Sequence, residues 1–266
     1  MLRLITAGAL LALFLPILFW APAGLWATLA ALAVALAGFE WGRIAGFPAP
    51  LSWAYGGVLA GCALAFHFLD FLAAQKEFQQ GLLWSAVVFW ALIAPLWLAR
   101  RWKTRSPFIL ATVGVIVLLP TWVALVTLRD FGPWYLLGLL AVVWIGDSAA
   151  FFVGRRFGSR KLAPAISPGK TWEGVAGAGV ALVLYASAVS ASIHGLRIAG
   201  ALLLTLALFF FSVLGDLFES WMKRVAGVKD SGSMLPGHGG ILDRIDALTA
   251  ALPVATTILL VAGGCL

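Results

Sequence analysis

The chain has 266 residues, of which 62% are hydrophobic and 11% charged, with a formal net charge of +7. Soluble proteins carry roughly 25% charged residues, so this composition excludes a soluble globular domain and indicates an integral membrane protein. The positive balance does not call for nucleic acid as a partner: basic cytoplasmic loops, anionic lipid headgroups or a phosphorylated substrate account for it equally well.

A helix needs about 20 apolar residues to cross the hydrocarbon. Nine spans are predicted, at 4–20, 24–41, 51–70, 82–99, 107–128, 133–153, 175–193, 197–217 and 246–264. The fold class is therefore all-α, a polytopic integral membrane protein with about nine transmembrane helices. Ala21-Pro22-Ala23-Gly24 separates the first two spans. Arg3, a short apolar core and the Ala-Pro-Ala site also resemble a signal peptide, but a second span follows at once. Trp20, Trp41, Trp53, Trp97, Trp102 and Trp134 fall near span ends, where amphipathic rings favour the interface. Cys62 and Cys265 fall in apolar runs, which suggests buried thiols and argues against a disulfide framework or a zinc site.

Charge orients the spans. Nine crossings put Arg3, Arg43, the 100–105 loop, the 154–174 loop and the 218–245 loop on one side, with fifteen Lys/Arg. The other side holds Lys76, Arg129 and Arg197. The asymmetry fits the positive-inside rule and implies a cytoplasmic N-terminus. Residues 1–130 read as a membrane-embedding part. Residues 131–266 read as a catalytic part whose long cytoplasmic loops, 154–174 and 218–245, have room for a polar site. A short chain without a targeting extension points to a bacterial inner membrane, with the site facing the cytoplasm.

Residues 212–246 hold five of the eleven carboxylates. Ionisable groups near a membrane are costly and functional by default. If the eighth span continues into the cytoplasm as a helix, Asp216, Glu219, Ser220 and Lys223 lie at i, i+3, i+4 and i+7, on one face. Asp243 and Asp246 share a face at the start of the ninth. Two helices meeting at the membrane surface would oppose pairs of carboxylates, a hard-oxygen set that suits Mg²⁺ or Mn²⁺ with substrate phosphates completing the shell. More than one ion would give the pattern of two-metal displacement at phosphorus. Between the carboxylates, Lys229-Asp230-Ser231-Gly232 and Pro236-Gly237-His238-Gly239-Gly240 bring glycine-rich backbone that can approach anionic oxygens closely. Lys223, Arg224, Lys229 and Arg244 add positive charge. The bland alternative is a solvated juxtamembrane loop with acids and bases paired for solubility.

A second polar segment reads Gly146-Asp147-Ser148, Gly154-Arg155-Arg156-Phe157-Gly158 and Ser167-Pro168-Gly169-Lys170-Thr171-Trp172-Glu173-Gly174. Asp147 lies inside the sixth span and should face the bundle interior and a cation, or else a structural partner. Gly-Lys-Thr lacks the upstream spacing of a P-loop, because position 164 is proline. Lys170 and Thr171 remain candidates for phosphate binding near a helix start. His67 and His194 read as structural, and the 100–105 cluster as a topology determinant and headgroup contact. Small residues at Gly174, Gly177 and Gly179 allow close helix packing, within the chain or in a homodimer.

The run from Ser220-Trp-Met-Lys223-Arg224 through Lys229-Asp230 to His238-Gly-Gly-Ile-Leu-Asp243-Arg244-Ile-Asp246 resembles the signature of the phosphatidate cytidylyltransferases, or CDP-diacylglycerol synthases. The resemblance covers 144–248 well, whereas the first 130 residues resemble the family only as apolar spans. Position 169, often lysine in relatives, is glycine. The resemblance implies that CTP and phosphatidate (phosphatidic acid) give CDP-diacylglycerol and pyrophosphate at the bilayer, with Mg²⁺. It implies Asp216 and Asp243 as metal ligands with Ser220, Lys223 and Asp246 around them; Asp216, Lys223, Asp243 and Asp246 are the candidate catalytic residues, and the placing of the carboxylates adds Asp246 or Asp147 as a further cation ligand. The expectation is a two-cation site whose second ion is divalent or monovalent. Lys170, Thr171, Ser220, Arg224, Lys229, His238 and Arg244 are the candidate substrate-binding residues. A CTP-dependent polyprenol or phytol kinase would share the cation ligands but release CDP. A transporter would instead spread its charges near the bilayer midplane.

Overall fold

The structure, a computed structural model, describes residues 2–69, 76–192, 197–234 and 239–263. The helices in chain order are α1 (Leu2–Trp20), α2 (Ala23–Ile44), α3 (Ala49–Phe68), α4 (Lys76–Val88), α5 (Ala94–Arg100), α6 (Pro107–Phe131), α7 (Pro133–Phe157), α8 (Trp172–Ser192), α9 (Ile198–Ala226) and α10 (Leu242–Val261). A π-helical turn, Phe89–Ile93, joins α4 to α5 without a break. Pro95 follows one residue later; it lacks an amide proton and would clash with the carbonyl four residues earlier, so the wider turn accommodates it. Among the described residues eight helices, counting Glu77–Arg100 as one, are long and apolar enough to cross a membrane. The first predicted span falls on α1, of which Leu11–Trp20 is the apolar segment with described side chains.

Between α7 and α8 lies the one β-sheet among the described residues. Strands β1 (Lys161–Ala163) and β2 (Ser167–Thr171) form a small antiparallel hairpin. Thr171 ends it and caps α8, accepting the Gly174 amide at 3.1 Å. Glu173 closes the loop from the other side, accepting from the Ser159 hydroxyl at 2.7 Å and from the Arg160 amide. Glycines at 154, 158 and 174 let α7 approach this corner closely, since a Cβ at any of them would crowd Thr171 or backbone. Gly174 and Gly177 pack against α7 within the chain, whereas Gly179 faces open space.

Of the tryptophans expected near span ends, Trp20, Trp53, Trp102 and Trp134 are exposed, but Trp41 and Trp97 correct that expectation. They are 1% and 5% exposed. Each indole N–H finds a backbone carbonyl, Leu110 for Trp41 at 2.7 Å and Trp102 for Trp97 at 3.0 Å. A ring at a span end is as well placed to bond a carbonyl of a neighbouring helix or of its own loop as to meet the headgroups. Cys62 is likewise exposed on α3 rather than buried, and Cys265 lies outside the described residues.

Contacts sort the connections to two ends. Glu40 of α2 meets the start of α10, Trp102 meets Trp221 of α9, and Lys170 meets Asp216 of α9. At the opposite end Arg129 of α6 donates to the Leu18 and Ala21 carbonyls, and Gln79 donates to Thr127. The basic loops therefore gather at one end of the bundle, where the predicted partition put them together.

Candidate active site

Three features build the site on α9. Its 29 residues span about 43 Å at 1.5 Å per residue, longer than the roughly 30 Å hydrocarbon core, so its last turns carry charge beyond the apolar layer. Phe218 is 1% exposed and wedged edge-on among Phe89, Trp90 and Trp97, while the Trp221 indole donates to the Trp102 carbonyl at 2.9 Å. These aromatic contacts fix the rotation of α9, so Asp216, Glu219, Ser220 and Lys223 present one face as the spacing predicts. Gly227, at φ +78°, then ends the helix: its amide bonds the Arg224 carbonyl and the Val228 amide reaches back to that of Lys223. That turn sends the chain towards α10.

Gly215 sets how near α10 comes. A Cβ there would meet the Asp246 carbonyl at 2.6 Å, so only glycine lets the two acidic helices touch at this level. Across the contact, the Lys223 ammonium lies 2.5 Å from Asp243 and 3.0 Å from Glu219. Asp243 also accepts the Ser231 amide at 3.0 Å and the Gly240 amide at 2.9 Å. Gly239, at φ +81°, bends the chain over Asp243, and a side chain there would crowd its carboxylate. Both Glu219 oxygens are buried without a well-directed hydrogen bond, leaving Lys223 as their counter-charge. Asp246 bonds the Ala247 amide at 2.7 Å and lies within electrostatic range of Asp216, Lys170 and Lys223.

The hairpin delivers the second cation. Lys170 on β2 pairs with Asp216 at 2.5 Å, and Asp216 accepts the Ser220 hydroxyl at 3.2 Å. Asp147 on α7 lies within electrostatic range of both Lys170 and Asp216. It is exposed rather than enclosed by the bundle, so it opens onto the shared site. Five carboxylates (Asp147, Asp216, Glu219, Asp243 and Asp246) thus surround two ammonium groups.

Not every predicted site residue joins this cluster. Thr171 is 4% exposed and its hydroxyl oxygen serves the cap of α8, which makes it a support for Lys170. Arg224, Lys229 and Arg244 are exposed around the rim, and Arg224 donates to the Val228 carbonyl. His238 lies outside the described residues. Among the described residues, no three carboxylate, imidazole or thiol groups converge closely enough to hold an ion by themselves. The donor chemistry nevertheless suits a hard cation: the carboxylates outnumber the ammonium groups, and one of them is buried with no directed hydrogen bond.

One residue escaped the sequence reading. Glu40, in the last turn of α2, is 1% exposed and accepts from the Ser231 hydroxyl and from the amides of Ile241 and Leu242. Its signal was available, since it is the first acid in the chain and closes an apolar span. The N-terminal helices therefore contribute to the site as well as embedding it.

The fold defines a polytopic membrane protein whose paired carboxylates and ammonium groups gather at one end of its bundle. Residues 1–262 match the model of the cytidylyltransferase family, and the chain belongs to that family. It is 38% identical to the phosphatidate cytidylyltransferase of Pseudomonas aeruginosa, over 98% of this chain and 97% of the relative. Relatives of the same name from Haemophilus influenzae and Bacillus subtilis are 39% and 37% identical. They cover 83% and 73% of this chain, and 85% and 75% of their own lengths.

Proposed function

We propose that the chain is a CTP:phosphatidate cytidylyltransferase that makes CDP-diacylglycerol and pyrophosphate. The observation that carries this reading is the meeting of α7, the β-hairpin, α9 and α10 in one charged cluster, Asp216, Asp243 and Asp246 with Lys170 and Lys223. It sits at the end of the bundle where the basic loops gather, which is where a lipid phosphate and a soluble nucleotide can both arrive. By the positive-inside rule that end faces the cytoplasm, in keeping with an enzyme of a bacterial inner membrane.

In the reaction a phosphate oxygen of phosphatidate bonds to the α-phosphorus of CTP. The bond from that phosphorus to the bridging oxygen breaks, and pyrophosphate leaves with its electron pair. A phosphomonoester is largely ionised at pH 7, so the protein needs little base catalysis and must instead position and neutralise. Lys170 and Lys223, now paired with carboxylates, stand ready to exchange those partners for phosphate oxygens. Arg224, Lys229 and Arg244 supply further positive charge around the mouth. Asp216 and Asp243 would hold Mg²⁺, with Asp246 and Asp147 beside them, and a second cation is in keeping with the excess of carboxylate. The ion, when bound, neutralises developing charge on the nucleotide phosphates.

The test is to give the detergent-purified protein phosphatidate, Mg²⁺ and CTP labelled at the α-phosphate. The label should move into the lipid with release of pyrophosphate. Asp243→Asn should cut turnover by about a hundredfold or more while remaining folded and membrane-inserted. Label retained in water as CDP would mean a lipid kinase instead, and intact CTP would reopen a transport role.

A further inference from the structure

Glu40 is an acid at the end of an apolar helix, and among the described residues no lysine or arginine pairs with it. Donors balance it instead. The Ser231 hydroxyl lies 2.9 Å from Oε2, the Ile241 amide 3.1 Å from Oε1 and the Leu242 amide 2.8 Å from Oε2. Leu242 opens α10, so two of these donors belong to a helix N-terminus, whose partial positive charge favours a carboxylate. The surrounding backbone is shaped to the group: a Cβ on either Gly232 or Gly240 would overlap the Glu40 carboxylate.

The link to the site runs through two residues. Ser231 gives its hydroxyl to Glu40 and its amide to Asp243. Gly240 packs against Glu40 and gives its amide to Asp243. What Glu40 fixes is therefore what orients Asp243.

We propose that Glu40 is a positioning residue for nucleotidyl transfer, clamping the backbone at Ser231 and Gly240 so that Asp243 is held in its working orientation. The activity side of this proposal rests on the cytidylyl-transfer reading; the clamp itself does not. Glutamine matches glutamate in size, but each Glu40 oxygen accepts a backbone N–H. Whichever way the new amide turns, its NH₂ meets a donor, and one bond becomes a clash.

The full chain in detergent tests it. Glu40→Gln should lower kcat about tenfold or more, the usual scale for a supporting partner behind a reactive group. KM for either substrate should change little. Hydrogen exchange at the amides of Ser231, Gly240, Ile241 and Leu242 should quicken. Ser231→Ala removes the hydroxyl half of the link and leaves the Gly240 half, and the double variant should be no slower than Glu40→Gln, because both act on one connection. Wild-type kcat and exchange in Glu40→Gln, or additive losses in the double variant, would overturn the proposal. If Glu40→Gln fails to insert, Ser231→Ala decides, a fall in kcat supporting the clamp and unchanged turnover refuting it. If the wild type itself makes no CDP-lipid, the reaction reading fails, and the exchange measurement alone decides whether Glu40 clamps the loop.

Discussion

Lys223 carries the charge balance between the two acidic helices. It is 8% exposed, with Glu219 on its own helix and Asp243 on the next. Lys223→Met would leave two carboxylates facing each other across a dry contact. Removing one partner of a buried pair costs about 3–5 kcal/mol, so the variant should melt earlier in detergent and lose turnover. Adding Glu219→Gln should restore part of the melting temperature and none of the activity, because the substrate phosphates still lack the Lys223 ammonium. At this scale the helical spacing made the face of α9 legible, as it made Asp243 and Asp246 legible on α10. The lysine partners were not legible. Spacing says which side chains share a helix face, whereas Lys170–Asp216 and Lys223–Asp243 depend on how separate elements meet. Thr171 shows the same limit, since a hydroxyl beside a lysine at a helix start serves a cap or a ligand with the same sequence.

Helix α9 works as a pivot between an aromatic wall and an acidic partner. On one side Phe218 is held by Phe89, Trp90 and Trp97; on the other Gly215 lets α10 lie against it. Gly215→Val should push the helices apart where Asp216 and Asp246 face each other. A misplacement near 1 Å can cost about a hundredfold in rate, so kcat should fall by one to two powers of ten while the protein still extracts and runs as a folded species. Turnover at the wild-type level would mean that the two helices need not touch. The length of α9 and the start of α10 were readable from hydropathy and from the Asp243 spacing. The π turn was not, because one extra residue per turn leaves apolar composition unchanged. The β-hairpin was also hidden: its strands have three and five residues, too few for an alternating pattern to stand out.

For the whole molecule, the charge partition and the contacts concur on which connections lie together. Single cysteines at Lys103, Lys161 and Lys229, in a background without Cys62 and Cys265, should share one accessibility to a membrane-impermeant maleimide. A cysteine at Arg197 should show the opposite. Labelling of Arg197 with the others would break the span count between residues 172 and 226. Residues 1–130 looked from sequence like embedding hydrocarbon, and α2, α3 and α6 do pack together as such. Glu40 is the exception that hydropathy averaged away, one acid diluted in an apolar window.

The bond from Glu40 to Leu242 joins residues 202 positions apart, and this bears on how the protein is made. Synthesis delivers α2 early and α10 last, so an acid committed to the membrane edge waits through most of translation for its donors. A chain truncated before residue 241 would keep that acid without the amides meant for it. Until α10 is made, the Ser231 hydroxyl is the one donor to Glu40, among the described residues, that comes from outside that helix start.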